Sequence, residues 1–436
     1  MGTSFVLDPR AWISPPYQSC PFCGERESYG VLMINGRGYV RRCRSCMKDK
    51  RFSLPSTPKK LLYLDQFVIS KLMFVLHPDH RERLRKQGDE EAAFWLALFE
   101  RLDRLLKLQL LACPDSTAHW EESLPSPFNT DLRRMYEHLS ADVSYEHPAT
   151  IKRFQLHAAF LRWLDGTEKV VTVEDIASGA INHWTDRIQV TTRIEPTDEE
   201  LSELREVRER THAGLAAEVE RWRREPRRRF SEYFEGQLLA AGPHDMRVYT
   251  KWTETVVRMT TGVVQLDPEQ MLPPNPARTV TILKRTLGER GVPVDQQLSK
   301  IAEFFTSEDA RQVPWLQIAC GMLAALAVKA SLQQAPSPDA GMLTDLNTVA
   351  TLLPYCDAIF IDNRCADLLR EATERVPLDY EASVFSTGNR EELLDWLDEL
   401  ESAADPEHPA LVEEVYGSGW QEPYTTMLVA KEGERE

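Results

Sequence analysis

Short apolar runs and helical apolar periods alternate along this chain. Residues 61–64, LLYL, form an uninterrupted apolar run that stops at Asp65, the pattern of a strand buried on both faces. An acid-rich helix is predicted from about residue 90 to 107, followed by a second short apolar run, LQLLAC. In the next stretch, PDSTAHWEE, Asp115 or Ser116 suits a helix cap and Glu122 falls about one and a half turns into the helix. Further on, Asp345 heads a short helix closed by Pro354, residues 357–361 read as a strand, and Asp362 ends it. About nine helical residues at ~1.5 Å and five strand residues at ~3.3 Å cover nearly equal lengths. Asp345 and Asp362 therefore return to one end of the sheet and Asp357 is left near the other.

Between these blocks the pattern is mainly helical. Residues 145–163 and 198–239 carry apolar residues at three- and four-residue spacing, interrupted by the β-favouring segments KVVTVED and QVTTRIE. Residues 313–332 predict an apolar helix that packs on the sheet. At the N-terminus, SYGVLMINGRGYVRR reads as two short strands around the hairpin signal Asn35-Gly36. The hairpin lies between CPFC and CRSC, with nineteen residues from Cys23 to Cys43. Two such knuckles bring Cys20, Cys23, Cys43 and Cys46 around one zinc ion at Zn–S of ~2.3 Å, the closed shell of a structural site. The other four cysteines, Cys113, Cys320, Cys356 and Cys365, lie in apolar surroundings and read as core fillers.

Composition narrows the class. The 436 residues are 42% hydrophobic and 28% charged, which excludes a disordered, collagenous or disulfide-dense chain. The first residues, MGTSFVLDPRAWISPP, match neither a secretory signal nor a myristoylation site, and the longest apolar run, residues 318–328, is too short for a membrane span of ~20 residues. The expectation is a soluble cytoplasmic protein with no membrane partner. There is no G-x-x-x-x-G-K and no G-x-G-x-x-G, which argues against an NTPase or a nicotinamide enzyme.

The net charge of −16 is unevenly spread: residues 1–60 hold 11 Lys or Arg against 4 Asp or Glu, a net of +7, leaving −23 for the rest. Arg37, Arg41, Arg42 and Arg44, interleaved with aromatic residues, suit contact with nucleic-acid phosphates and bases. A second cluster, RWRREPRRRF, puts six arginines between residues 221 and 229 amid dense acids. It is either a salt-bridged solvated face or a grip for phosphates or an acidic partner.

Asp65, Glu122, Asp345 and Asp362 are thus all expected at the C-terminal edge of one parallel sheet. Four carboxylates at one place need cations to neutralise them, and an all-oxygen set selects Mg²⁺ or Mn²⁺. Such ions hold a phosphate, activate water and stabilise the leaving oxygen. The sequence here resembles the PIN-like domain nucleases, through LLYLDQFVIS, the Ser116-x-x-His119-x-x-Glu122 spacing, Asp345 to Asp362 with AIFID before a helix, and VFSTGNREELLDWLDEL. These blocks cover about a quarter of the chain. The resemblance implies a Rossmann-like α/β fold with a central parallel sheet and metal-dependent cleavage of RNA, less often DNA. Asp65, Glu122, Asp345 and Asp362 become the catalytic metal-binding acids, and His119 a residue that orients a carboxylate or a phosphate. The Asp65-Gln66-Phe67 sequence departs from the Asp-x-Asn of compact members, so a non-catalytic nucleic-acid or protein-binding scaffold with a degenerate site stays in view.

The resulting layout is a zinc ribbon with linker at 1–56, a first core part at 57–130, a mainly helical insertion at 131–310, a second core part at 311–400 and a tail at 401–436. An insertion of this size would couple cleavage to a regulatory protein or a second copy of the chain, as a toxin or defence effector requires.

Overall fold

The computed structural model describes residues 8–77, 89–185, 197–335 and 337–417. The chain is mixed α/β. Its centre is a four-stranded parallel sheet formed by β5 (Lys60–Leu64), β6 (Leu111–Ala112), β9 (Ala358–Phe360) and β10 (Ser383–Phe385), in the spatial order β10-β9-β5-β6, while β7 (Ser144–Tyr145) and β8 (Ala177–Ser178) pair with each other in a short antiparallel ribbon. Leu64 pairs with Phe360 and Phe360 with Phe385, so three strands end at one level and Asp65 and Asp362 lie just beyond it.

Strand alternation sorts the core into two layers. Leu62, Leu64, Ala358 and Phe360 point to one face and are covered by α1 (Gln66–Leu76), α2 (Asp89–Lys107), α4 (Asn129–Leu139) and α13 (Arg390–Ser402). Tyr63, Ile359 and Ile361 point to the other, where the helices of the long central segment and α12 (Asn363–Thr373) pack. That segment comprises α5 (Pro148–Asp165), α6 (Asp198–Arg224), α7 (Phe230–Thr260), α8 (Asn275–Glu289), α9 (Val294–Phe305), α10 (Pro314–Ser331) and α11 (Met342–Leu352). By length and composition α10 could cross a membrane, but twelve of its eighteen residues are buried within the fold. Gly321 lets it approach α12 closely; a Cβ there would meet the Ala372 Cβ at 3.1 Å.

Several expected boundaries move. The insertion limit at 131 falls inside α4, whose Leu132, Met135 and Tyr136 belong to the core under the sheet. KVVTVED forms no strand; it runs unpaired into one helical turn, Val173–Ile176, because Asp175 closes a capping box with Thr172. QVTTRIE lies outside the described residues. The mainly helical stretch expected over 198–239 forms two helices, separated where Pro226 removes a backbone donor, and the second continues to Thr260.

The N-terminal module is a four-stranded antiparallel sheet, β1 (Ser14–Gln18), β2 (Tyr29–Ile34), β3 (Gly38–Cys43) and β4 (Asp49–Ser53), two strands more than the hairpin pattern announced. It is not a free module on a linker. Val31, Ile34, Tyr39 and Leu54 share a core with Leu108, Trp184 and, from the segment expected as a tail, Val412 and Val415 of α14 (His408–Tyr416). Tyr39 donates to Glu414 Oε1 at 2.6 Å, and Arg41 donates to the Glu414 carbonyl at 2.6 Å.

Candidate active site

Asp65 follows β5 directly and caps α1, its Oδ1 accepting from the Gln66 N–H at 2.6 Å. Asp362 likewise caps α12, with Oδ1 accepting from Arg364 N–H at 2.8 Å and Cys365 N–H at 3.1 Å, while its buried Oδ2 has no partner among the described residues. In each case the cap engages one carboxylate oxygen with backbone N–H groups at the start of the helix. Glu122 comes from α3 (Thr117–Ser123), which Ser116 caps through the His119 N–H. Asp345 sits one turn into α11, slightly deeper than its expected place at the helix head.

These four acids line one open cleft of about 560 Å³. Glu121 does not line it. Neither Glu122 nor Asp345 has a side-chain hydrogen bond to the described residues. Burial raises the Asp345 pKa to about 8, helped by the charges of Asp65, Glu122 and Asp362. Glu122 rises to about 7, first by burial and then by Asp65, with Arg208 opposing. Asp65 rises to about 6 through burial and Asp362, against the two backbone N–H groups that favour its charge. Such mutual elevation is what carboxylates show when no cation stands between them. Oxygens of Asp345 and Asp362 lie within 4.8 Å of one another, with the Cys365 sulfur also inside that distance, so one ion can bridge them.

Asp357 stays at the other end of β9. It accepts from the Leu61 N–H at 2.8 Å and Lys60 Nζ at 2.6 Å, a structural clamp between strand starts.

Two expected nucleic-acid contacts are corrected. His119 is buried, stacked between Tyr63 and Tyr136 at 5.1 and 5.3 Å, and its Nε2 donates to the Leu64 carbonyl at 2.8 Å. Burial lowers its pKa to about 4, so it is neutral near pH 7. It ties α3 to the end of β5 and thereby sets Glu122 beside Asp65. Arg41 is 0% exposed, its guanidinium donating to the carbonyls of Pro16, Tyr29 and Glu414. No phosphate can reach it. Arg42 is half-buried and paired with Asp49 at 2.5 Å. Arg37 and Arg44 are exposed, and Arg44 lies over the Tyr17 ring at 5.5 Å.

Cys20, Cys23, Cys43 and Cys46 converge, with sulfur separations of 3.7 Å for Cys20–Cys46 and 3.8 Å for Cys23–Cys43. A tetrahedron at Zn–S of ~2.3 Å requires about 3.8 Å between sulfurs, so the set fits one zinc ion. Burial works against the Cys43 thiolate, but donors from Ser28, Cys46 and Ser45 outweigh it and bring its pKa to about 6.

The arginines between 221 and 229 are largely tied to neighbouring acids: Arg221 to Glu218 and Glu225, Arg223 to Glu220, and Arg228 to Glu225. The salt-bridged reading of that cluster is the one the contacts favour. Arg208, Asp339 and Arg364 also line the acidic cleft and were not picked out from sequence. No protein family, no curated protein and no solved structure matches the chain.

Proposed function

We propose that the protein is a metal-dependent phosphodiesterase of the PIN-like kind acting on nucleic acid, RNA in preference to DNA. The observation that carries this reading is the convergence of Asp65, Glu122, Asp345 and Asp362, from four separate elements, in one open cleft at the C-terminal edge of a parallel sheet. That edge is where open α/β sheets bind their ligands. The elevated proton affinities of three of these acids mark a site that one or two Mg²⁺ or Mn²⁺ ions would neutralise. Bound there, the ions would polarise the phosphate and supply a metal-bound water at neutral pH.

Zinc in the four-cysteine set would have a different role. It would hold the knuckles of a module whose exposed Arg37, Arg44 and Lys48 face solvent, Lys48 lying 5.8 Å from the Phe22 ring. Cations beside aromatic faces suit a single strand entering from that side.

The test is cleavage of labelled RNA and DNA by the purified full chain with Mg²⁺ or Mn²⁺. Asp65→Asn and Asp362→Asn should each lower the rate at least ~100-fold. Cleavage that survives both substitutions, or that persists in chelator, overturns the assignment.

A further inference from the structure

We propose, on the basis of the phosphodiesterase reading above, that Arg208 of the helical insertion is a substrate ligand of the acidic cleft, its guanidinium holding the non-bridging oxygens of the phosphate to be cleaved. The insertion then supplies a cation to a site whose acids come from the ends of two strands and from α3 and α11.

Arg208 is half-buried on α6 and lines the same cleft as the four acids. One turn further along, His212 Nε2 donates to the Pro338 carbonyl at 2.9 Å, fastening α6 to the segment that continues into the cleft wall at Asp339, Ala340 and Gly341. The cleft has one other cation, Arg364, and Asp339 engages it at 2.6 Å. Arg208 makes no hydrogen bond or ion pair with the described residues. Its own helix offers it none, since the positions three and four residues away are Leu204, Arg205, Thr211 and His212. Arg221 and Arg223, near the end of that helix, each have a glutamate at such spacing.

A guanidinium whose task was to neutralise the acids would be paired with one of them. Arg208 instead lines the cleft without pairing with an acid, close enough for its charge to act on Glu122. With divalent ions on the carboxylates, the space between becomes cationic on both sides and fits a phosphodiester. The planar fork of an arginine matches two phosphate oxygens, which a lysine ammonium does not. In hydrolysis the water oxygen forms the new bond to phosphorus and the ester P–O bond breaks. Its electron pair stays on the leaving oxygen, which takes one proton of the water; the second passes to the phosphate product or solvent. Arg208 gives up no proton and stabilises the charge that builds on the non-bridging oxygens.

The experiment compares wild type, Arg208→Gln, Arg208→Lys and Asp362→Asn as full-length proteins. Mn²⁺ affinity is measured by calorimetry, binding of labelled single-stranded ribo- and deoxyribo-oligonucleotides by anisotropy in Ca²⁺, and cleavage in Mn²⁺. Arg208→Gln should hold Mn²⁺ as tightly as wild type or a few-fold more tightly, because a competing cation is gone. It should bind oligonucleotide ~10-fold more weakly and cleave ~100-fold more slowly, with partial recovery in Arg208→Lys and an unchanged melting temperature. Wild-type binding and cleavage in Arg208→Gln, alongside an inactive Asp362→Asn, overturns the role of Arg208 and leaves the phosphodiesterase reading standing. Mn²⁺ affinity that falls together with oligonucleotide affinity makes Arg208 a support for the carboxylates and overturns the proposal. A wild type that takes Mn²⁺ but neither binds nor cleaves any oligonucleotide overturns both.

Discussion

Replacing Asp345 by Asn should stabilise the metal-free protein at alkaline pH and abolish much of its response to metal. The Asp345 carboxyl is moved from the ordinary 3.8 to about 8 by burial and by Asp65, Glu122 and Asp362. At about 1.4 kcal/mol per tenfold change in proton affinity, its ionisation in the folded state costs at most about 5–6 kcal/mol. The acids titrate as a group, so the share released by one substitution is smaller, roughly 2–4 kcal/mol. Because the folded pKa is raised, the contribution of Asp345 to stability is complete below about pH 4. It is lost as pH climbs through about 8. In a chain this long, 1 kcal/mol corresponds to about 1 °C in melting temperature. In chelator at pH 8.5, Asp345→Asn should therefore melt about 2–4 °C above wild type, and the gap should shrink to roughly a third by pH 5 and close below about pH 4. Saturating Mn²⁺ should raise wild type by about 2–3 kcal/mol at a hundred times its Kd and raise the variant far less, removing most of the gap between them. Thermal melts across pH with and without Mn²⁺ decide it. A variant that is less stable than wild type by the same amount at pH 5 and pH 8.5, or that keeps the full Mn²⁺ response, refutes the reasoning.

Elemental analysis of reduced protein should find one zinc per chain, and Cys43→Ser should lose it and lower the melting temperature, because Cys20, Cys43 and Tyr29 form one buried cluster that the metal would hold together. Arg41→Met should destabilise by about 2–4 kcal/mol in denaturant melts, since the carbonyls of Pro16, Tyr29 and Glu414 lose their donor, the Tyr29 bond being fully buried, whereas Arg44→Ala should leave stability within about 0.5 kcal/mol and weaken oligonucleotide binding. For His119, whose folded pKa lies near 4 and below its unfolded value, stability should rise with pH between about 4 and 6.5. His119→Gln, which keeps a donor toward the Leu64 carbonyl, should flatten that slope in pH-dependent melts.

What the sequence determined by itself was whatever depends on neighbours along the chain. The LLYL run ending at Asp65, the place of Asp362 at the end of a strand and the two C-x-x-C knuckles follow from local period and spacing, and each lies where its pattern put it. Helix and strand lengths between 345 and 362 were enough to bring Asp345 to Asp362 and to leave Asp357 at the far end of the strand.

The fate of a charged side chain is a different matter. Arg41 and Arg44 are near neighbours in one basic stretch, yet one is enclosed by carbonyls from three distant segments and the other is open to solvent. Nothing in their spacing separates them, because what encloses Arg41 includes a helix more than 360 residues further along the chain. Only tertiary structure decided that the expected tail docks against the N-terminal sheet. It also decided that His119 is a buried tie between α3 and β5, and that α6 carries Arg208 to the cleft. Burial and convergence are set by packing between segments far apart in sequence, where each pairwise contact is weak and only the assembled core fixes the arrangement.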